Sequence, residues 1–213
     1  MYSYPKFTHP GGDAAVRLVR ENPFAVLVSS PESGPPVATH LPVIIPAGTD
    51  PGESLEGVTL LGHMGRANPH WKMFAERPDV LLVFSSSHGY ISPTLYEPGP
   101  NAPTLDYAAV HLTGTVEIIE GTAGKLDVVE QTVATLESMR PDQWDPADSR
   151  ELFAKIVPAI TAFRVHVTGE DFMFKLSQNQ PEEVRARIRA DLREGPHRHP
   201  RLADLMDRIE EVR

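Results

Sequence analysis

Residues 24–45 read FAVLVSSPESGPPVATHLPVII, and the fold follows from how this stretch divides. Two runs rich in Val, Leu and Ile, FAVLVSS (24–30) and VATHLPVII (37–45), flank the segment PESGPP. Branched and aromatic side chains favour extended backbone, and a Pro and Gly cluster between two such runs marks a turn. The arrangement recurs in GVTLLGHM (57–64) and DVLLVFSS (79–86). YAAVHLTGTVEIIE (107–120) alternates over its second half, and TAFRVHVTGEDFMFKLS (161–177) reads as a late strand or hairpin. About six such strands predict a closed antiparallel sheet.

Helical signals lie between and after the strands. Asp13 is placed to cap AAVRLVREN, which Pro23 ends. In ANPHWKMFAERP, Asn68 can serve as N-cap and Pro69 as the first helical residue. KLDVVEQTVATLESMR (125–140) has apolar residues at helical spacing, and PEEVRARIRADLREG with PRLADLMDRIEEVR predicts a charged tail of two helices. The fold class is therefore mainly β with α additions (α+β). One domain spans 1–180, and 181–213 form its helical extension, because the Pro-rich loops at 31–36, 46–52 and 97–103 are too short to divide domains.

Composition narrows the chemistry. There are no cysteines among 213 residues, which excludes disulfides, thiolate zinc sites, iron–sulfur ligation and a Cys-ligated haem. A net charge of −9 argues against direct nucleic-acid binding, which rests on Lys and Arg neutralising phosphates. No run approaches the roughly 20 apolar residues of a membrane span, and MYSYPKFTHPGGD lacks the zones of a signal peptide, so a cytoplasmic location is expected. Gly-x-Ser-x-Gly, Walker and Gly-x-Gly-x-x-Gly motifs are missing, which weakens hydrolase and kinase assignments.

Nine histidines are the first places to seek a metal ligand or acid–base group. His63 ends a strong strand near Gly65, Arg66 and the start of a helix, where an anion could bind; equally, His63 and Asn68 could serve only local hydrogen bonds. His40 and His111 fall inside strands, as core or groove residues. His197-Arg198-His199, between Pro196 and Pro200, reads as an exposed linker. Lys175-Leu176-Ser177-Gln178-Asn179 suits a phosphate or carboxylate, or else is a strand-to-helix connection with Ser177 or Asn179 as cap. A short phrase occurs twice, as Pro93-Thr94-Leu95-Tyr96 and as Pro103-Thr104-Leu105-Asp106-Tyr107.

Taken in order, PFAVLVSS, ATHLPVII, GHMGRANPHW, GYISPTLY, APTLDYAAVHLTG and FKLSQN resemble the PaiB-like family of the FMN-binding split-barrel superfamily, known as negative transcriptional regulators. The resemblance implies a split β-barrel homodimer with its cofactor at the subunit interface. It places His63, Arg66, Asn68, Trp71, Tyr90, Ser92, Tyr96, Tyr107, Lys175, Ser177 and Asn179 at motif positions. Two departures stand out. The family pattern has Ser-Trp-Tyr where this chain has Thr94-Leu95-Tyr96, and Thr-Trp-Asn-Tyr where it has Thr104-Leu105-Asp106-Tyr107. Leucine leaves room that an indole fills, and Asp supplies a charge or general base that an amide cannot.

With its altered pocket, no cysteine and a supply of histidines, the chain looks like a candidate for the haem-dependent piperazate synthases within the superfamily. That resemblance implies haem b as cofactor and conversion of the hydroxylamine N5-hydroxy-L-ornithine to L-piperazic acid by N–N bond formation. Without cysteine, a haem iron needs His, Tyr or Met, with His63 the first choice and His40 and His111 in reserve. Asp106 would hold or deprotonate an amine, Tyr96 or Tyr107 would protonate the departing oxygen, and Arg66 or Lys175 would bind a carboxylate. Leu95 and Leu105 would border the cofactor. The alternatives are an FMN-binding regulator or small oxidoreductase, with the flavin phosphate at Arg66 and Lys175, and a haem carrier or sensor.

Overall fold

A ring of strands encloses the core in this computed structural model, which describes residues 1, 4–7 and 11–211. β1 (Phe24–Ser29) and β2 (Val37–Ile44) form the antiparallel hairpin that the opening stretch predicts, in register from Phe24↔Pro42 to Ser29↔Val37. On β1 Ala25, Leu27 and Ser29 point inward and Val26 and Val28 outward, the two-residue period of a strand. β3 (Thr59–Gly65), β4 (Asp79–Ser85), β6 (Thr104–Ile119) and β7 (Ile160–Lys175) complete the barrel, ordered β1-β2-β3-β7-β6-β4 and closed by the β4–β1 pairing. β7 is one strand, not a hairpin. Its register against β6 shifts at Thr113/Gly114, so that Thr168 bulges.

β6 outruns its neighbour, and this creates the site. β4 pairs with it only as far as Ser85↔Ala109. Before that point residues 104–106 pair instead with a short seventh strand, β5 (Gly89–Ile91), which the sequence patterns did not signal. On the other edge β7 stays paired up to Tyr107↔Lys175. The ends of β5, β6 and β7 therefore project together past the barrel rim.

Inside, Leu27, Leu60, Leu82, Phe84, Leu112, Phe163 and Phe174 are fully buried. Each such side chain contributes roughly 1.5–3 kcal/mol through burial. Gly62 is required on β3, because a Cβ there would lie 2.7 Å from the Phe163 ring. α1 (Ala14–Glu21) plugs the barrel with Ala14, Ala15, Val16, Leu18 and Val19. Asp13 stands at its N-cap as expected, but the carboxylate makes no capping bond and pairs with Arg17 at 2.8 Å. α2 (Thr122–Glu137) covers the outer faces of β2, β3 and β7 through Val128, against Ile44, Leu61 and Ala162, and α3 (Arg150–Ile156), not anticipated, packs beside it through Phe153.

The predicted tail forms α4 (Glu182–Glu194) and α5 (Pro200–Glu211), and the last two residues assigned to it lie outside the described ones. Val184, Ile188, Leu192, Leu202 and Met206 join the main core. A Cβ on Gly89 would meet Leu192 at 2.7 Å, so this hairpin sits tightly on β5. His197 and Arg198 are exposed in the connection between these helices, as expected, whereas His199 is half-buried and its ring stacks on His88 with centroids 6.3 Å apart. Among the described residues no helix is long and apolar enough to cross a membrane.

Candidate functional site

The projecting strand ends border a pocket of about 870 Å³. β5 contributes Tyr90, the following loop Tyr96, β6 Leu105, Asp106 and Tyr107, and β7 Met173 and Lys175; the turn beyond adds Ser177, Asn179 and Gln180, and the N-terminal arm Tyr4, Lys6 and Phe7. Five aromatic rings and a few polar groups around a concave volume make the usual composition of a small-molecule site.

Asp106 is the unusual member. It shares the inward face of β6 with Ala108 and Val110, and like them is 0% exposed. A carboxylate therefore occupies a position where strand alternation calls for an apolar residue. Its Oδ2 accepts a 2.6 Å hydrogen bond from the Ser177 hydroxyl, while Oδ1 is buried without a hydrogen-bond partner. Burial raises its pKa from 3.8 to about 6, against the opposing pull of the Ser177 hydrogen bonds and the Lys175 and Arg185 charges. Ser177 holds φ at 56°, alone among the described non-glycine residues in being at positive φ. The bond to Asp106 and the Gln178 side chain, whose Oε1 accepts from the Leu176 N–H at 2.7 Å, fix that turn.

Lys175 ties β7 to β6 by donating to the Leu105 carbonyl at 2.8 Å and to the Thr104 hydroxyl. Burial, followed by the charges of Asp106 and Tyr90, raises the Tyr96 pKa, so its phenol stays protonated. Neither Ser177 nor Asn179 caps α4, whose N-cap is Pro181.

The motif residues divide into two groups. Tyr90, Tyr96, Leu105, Asp106, Tyr107, Lys175, Ser177 and Asn179 line this pocket, and His63, Arg66, Asn68 and Trp71 do not. Nor do Ser92 and Leu95: the Ser92 hydroxyl accepts from the Thr94 N–H at 3.3 Å, capping a short turn, and Leu95 packs against the core. His63 lies on the outer side of β3 opposite Ala162, its Nδ1 buried without a partner and its pKa lowered by burial. Asn68 caps the 3-10 helix Pro69–Ala75, accepting from the His70 N–H at 3.0 Å and donating to Thr39 at 3.1 Å. Trp71 donates to the Arg66 carbonyl at 2.9 Å, and the Arg66 guanidinium sits 4.9 Å above its ring.

The two reserve histidines also stand outside the pocket. His40 packs on Phe24 with ring centroids 5.9 Å apart, and His111 lies between Val83 and Asp171 on neighbouring strands. Sequence reasoning missed the N-terminal arm and Gln180. The aromatics Tyr4 and Phe7 were the available signal, but no periodicity links them to distant strands.

A six-stranded antiparallel barrel with a cofactor-sized cleft at its open edge is the architecture of flavin-binding split barrels. Residues 1–169 match the family described as "Putative FMN-binding domain", and the chain belongs to that family. Within it, the chain is similar to Protease synthase and sporulation protein PAI 2 of Bacillus subtilis (strain 168), at 31% identity over 214 residues and 97% of each chain. Among solved structures, the conserved hypothetical protein Rv2991 of Mycobacterium tuberculosis aligns over 85% of this chain and 94% of its own, with a TM-score of 0.57 and 10% identity. The flavocytochrome Anf3 of Azotobacter vinelandii aligns over 80% and 71%, with TM-score 0.53 and 17% identity. The FAD and haem binding protein of Mycobacterium smegmatis aligns over 79% and 74%, with TM-score 0.51 and 16% identity. These three likenesses establish the fold.

Proposed function

We propose that the protein is a haem b-dependent enzyme that closes an N–N bond within N5-hydroxy-L-ornithine to give L-piperazic acid, each site being completed by a second copy of the chain. The observation that carries this reading is Asp106, a buried acid with one unpartnered oxygen that borders the same pocket as Tyr96, a pocket otherwise suited to a flat ligand. A carboxylate kept there against its burial penalty has the character of a working acid or base.

A porphyrin is only partly provided for within one chain. The pocket offers aromatic walls, but no imidazole lines it among the described residues. His63, neutral and only half-buried, is the imidazole that a second copy would contribute, through Nε2, since Nδ1 is enclosed by its own chain. Homodimer formation is supported by the outer face of β1 and β4. There Val26, Val28, Leu81 and Val83 are partly exposed, and Phe24 at the edge is 65% exposed.

A bound haem would supply a Lewis-acidic iron toward the hydroxylamine oxygen. The chain's own groups handle protons and orientation. As the N–N bond forms, the N–O bond breaks and the oxygen departs as water; the α-nitrogen loses a proton, so no oxidant or reductant is consumed. Tyr96, held protonated, donates toward the leaving oxygen, with Tyr107 the second phenol on the pocket wall. Asp106, ionised above about pH 6, receives the released proton. Lys175 or Arg66 binds the substrate carboxylate.

The family's description favours a second reading, FMN with its phosphate at Lys175 and Arg66, in a small oxidoreductase or regulator. The visible spectrum of the purified protein separates the two. A Soret band that His63→Ala abolishes or shifts is expected, and a flavin doublet would sink the haem assignment. Incubation with N5-hydroxy-L-ornithine then tests catalysis by mass spectrometry: loss of one water is expected, and recovery of unchanged substrate would leave a haem carrier.

A further inference from the structure

The two C-terminal helices lie beyond the 169 residues that the family model matches, yet one of them reaches the pocket wall. Arg187 on α4 donates from Nε to the Leu95 carbonyl at 2.8 Å and pairs from Nη2 with Glu97 at 2.6 Å. Leu95 and Glu97 are the two chain neighbours of Tyr96. One planar guanidinium thus holds the backbone before this tyrosine and the side chain after it. Asn101 reinforces the grip, its Nδ2 donating to the Glu97 carbonyl at 2.8 Å. The turn before Tyr96 is fixed by its own bonds, the Tyr96 N–H reaching the Pro93 carbonyl at 3.1 Å, but beyond it Pro98, Pro100 and Pro103 remove backbone donors and Gly99 adds freedom.

We propose that Arg187 is a positioning residue for Tyr96, and that the C-terminal hairpin is through it a working part of the ligand pocket. Arg suits this task because its fork of donors spans two acceptors in a fixed geometry, which a lysine ammonium does not. The pair is exposed on both sides, so its loss barely alters overall stability and its effect is read locally. The importance of Tyr96 to a ligand rests on the reading that this pocket holds the cofactor, so the test has one arm without ligand and one with it.

In the first arm, protein labelled with 3-fluorotyrosine is followed by fluorine NMR, with Tyr96 assigned by Tyr96→Phe. Arg187→Ala should shift the Tyr96 resonance and leave that of Tyr107 on β6 in place, and Arg187→Lys should shift it less. A Tyr96 resonance that stays put, or equal movement of all the tyrosines, overturns the proposal. In the second arm, hemin and FMN are titrated separately. Arg187→Ala should weaken the probe that binds by roughly ten-fold, and the Arg187→Ala/Tyr96→Phe double variant should be no weaker than Tyr96→Phe. Unchanged affinity in Arg187→Ala, or losses that simply add, overturn the proposal. A wild-type protein that takes up neither probe sinks the cofactor reading of the pocket, and the fluorine arm alone then decides the role of Arg187.

Discussion

The β3 end and the β5–β6–β7 rim are both built from motif residues, but they use their polar groups differently. At the β3 end the groups mostly satisfy one another: Asn68 bonds the His70 N–H and Thr39, Thr39 bonds His70 Nδ1 at 2.8 Å, and Trp71 bonds the Arg66 carbonyl. At the rim, the Asp106 oxygen is left over, and Tyr90, Tyr96, Asn179 and Gln180 face open volume. The first arrangement holds a chain in shape. The second leaves bonding capacity unused within the described chain. Two ring nitrogens are exceptions within the first group, since His63 Nδ1 and His70 Nε2 are also left over.

Asp106→Asn breaks this contrast most strongly. Folding raises the carboxyl pKa above its ordinary value, so the folded chain prefers the protonated form. That contribution is complete below pH 3.8 and is lost as the pH rises through about 6, above which an ionised group is held in the interior. The shift corresponds to about 3 kcal/mol at most. Asn keeps an acceptor for Ser177 and carries no charge. Urea unfolding at pH 7.5 should show the variant more stable by up to about 3 kcal/mol, with the pH dependence between 4 and 6 flattened. A variant no more stable than wild type at pH 7.5 would show that the ionised carboxylate finds compensation in the fold. Turnover of N5-hydroxy-L-ornithine should fall sharply in the same protein, the exchange of stability for activity expected at a functional site.

The barrel was largely legible in the sequence because each strand carries its own local signal. Val and Leu alternate or cluster, and Pro or Gly ends the run, so β1, β2, β3 and β4 fall within two residues of the predicted limits. β5 escaped because three residues, Gly89, Tyr90 and Ile91, are too few to show a period. α3 is likewise only seven residues long, with the single buried residue Phe153. The echo of Pro-Thr-Leu found the pocket but misjudged its parts. Leu105 faces the pocket at 49% exposure, whereas Leu95 turns to the core and offers its carbonyl to Arg187. Which strand ends meet is a property of register, and no local pattern encodes it.

Asn68→Ala strikes the other region with a smaller effect. It removes the cap of the 3-10 helix and its bond to Thr39 together, leaving the His70 N–H without its acceptor. Loss of such a cap costs about 1–2 kcal/mol, measurable as a lower urea midpoint with unchanged slope. The fluorine spectrum of the rim tyrosines should not change. Movement of Tyr96 or Tyr107 in this variant would show that the two regions are mechanically one.

The smallest effect on stability, and the finest test of the contrast, belongs to Arg66→Ala. An exposed guanidinium over an indole contributes about 0.5–1 kcal/mol, so unfolding should shift only slightly, and the Trp71 bond to the residue-66 carbonyl survives because it is made to backbone. Arg66 is exposed and does not line the rim pocket, so a part in holding a ligand there would have to come from a second copy. A several-fold weaker hold on hemin or FMN, with the oligomeric state by light scattering unchanged, would place the β3 end of one copy against the rim of the other. Wild-type affinity in Arg66→Ala would instead confine Arg66 to its stack on Trp71, and would leave the unpartnered ring nitrogens of His63 and His70 as the spare bonding capacity of the β3 end.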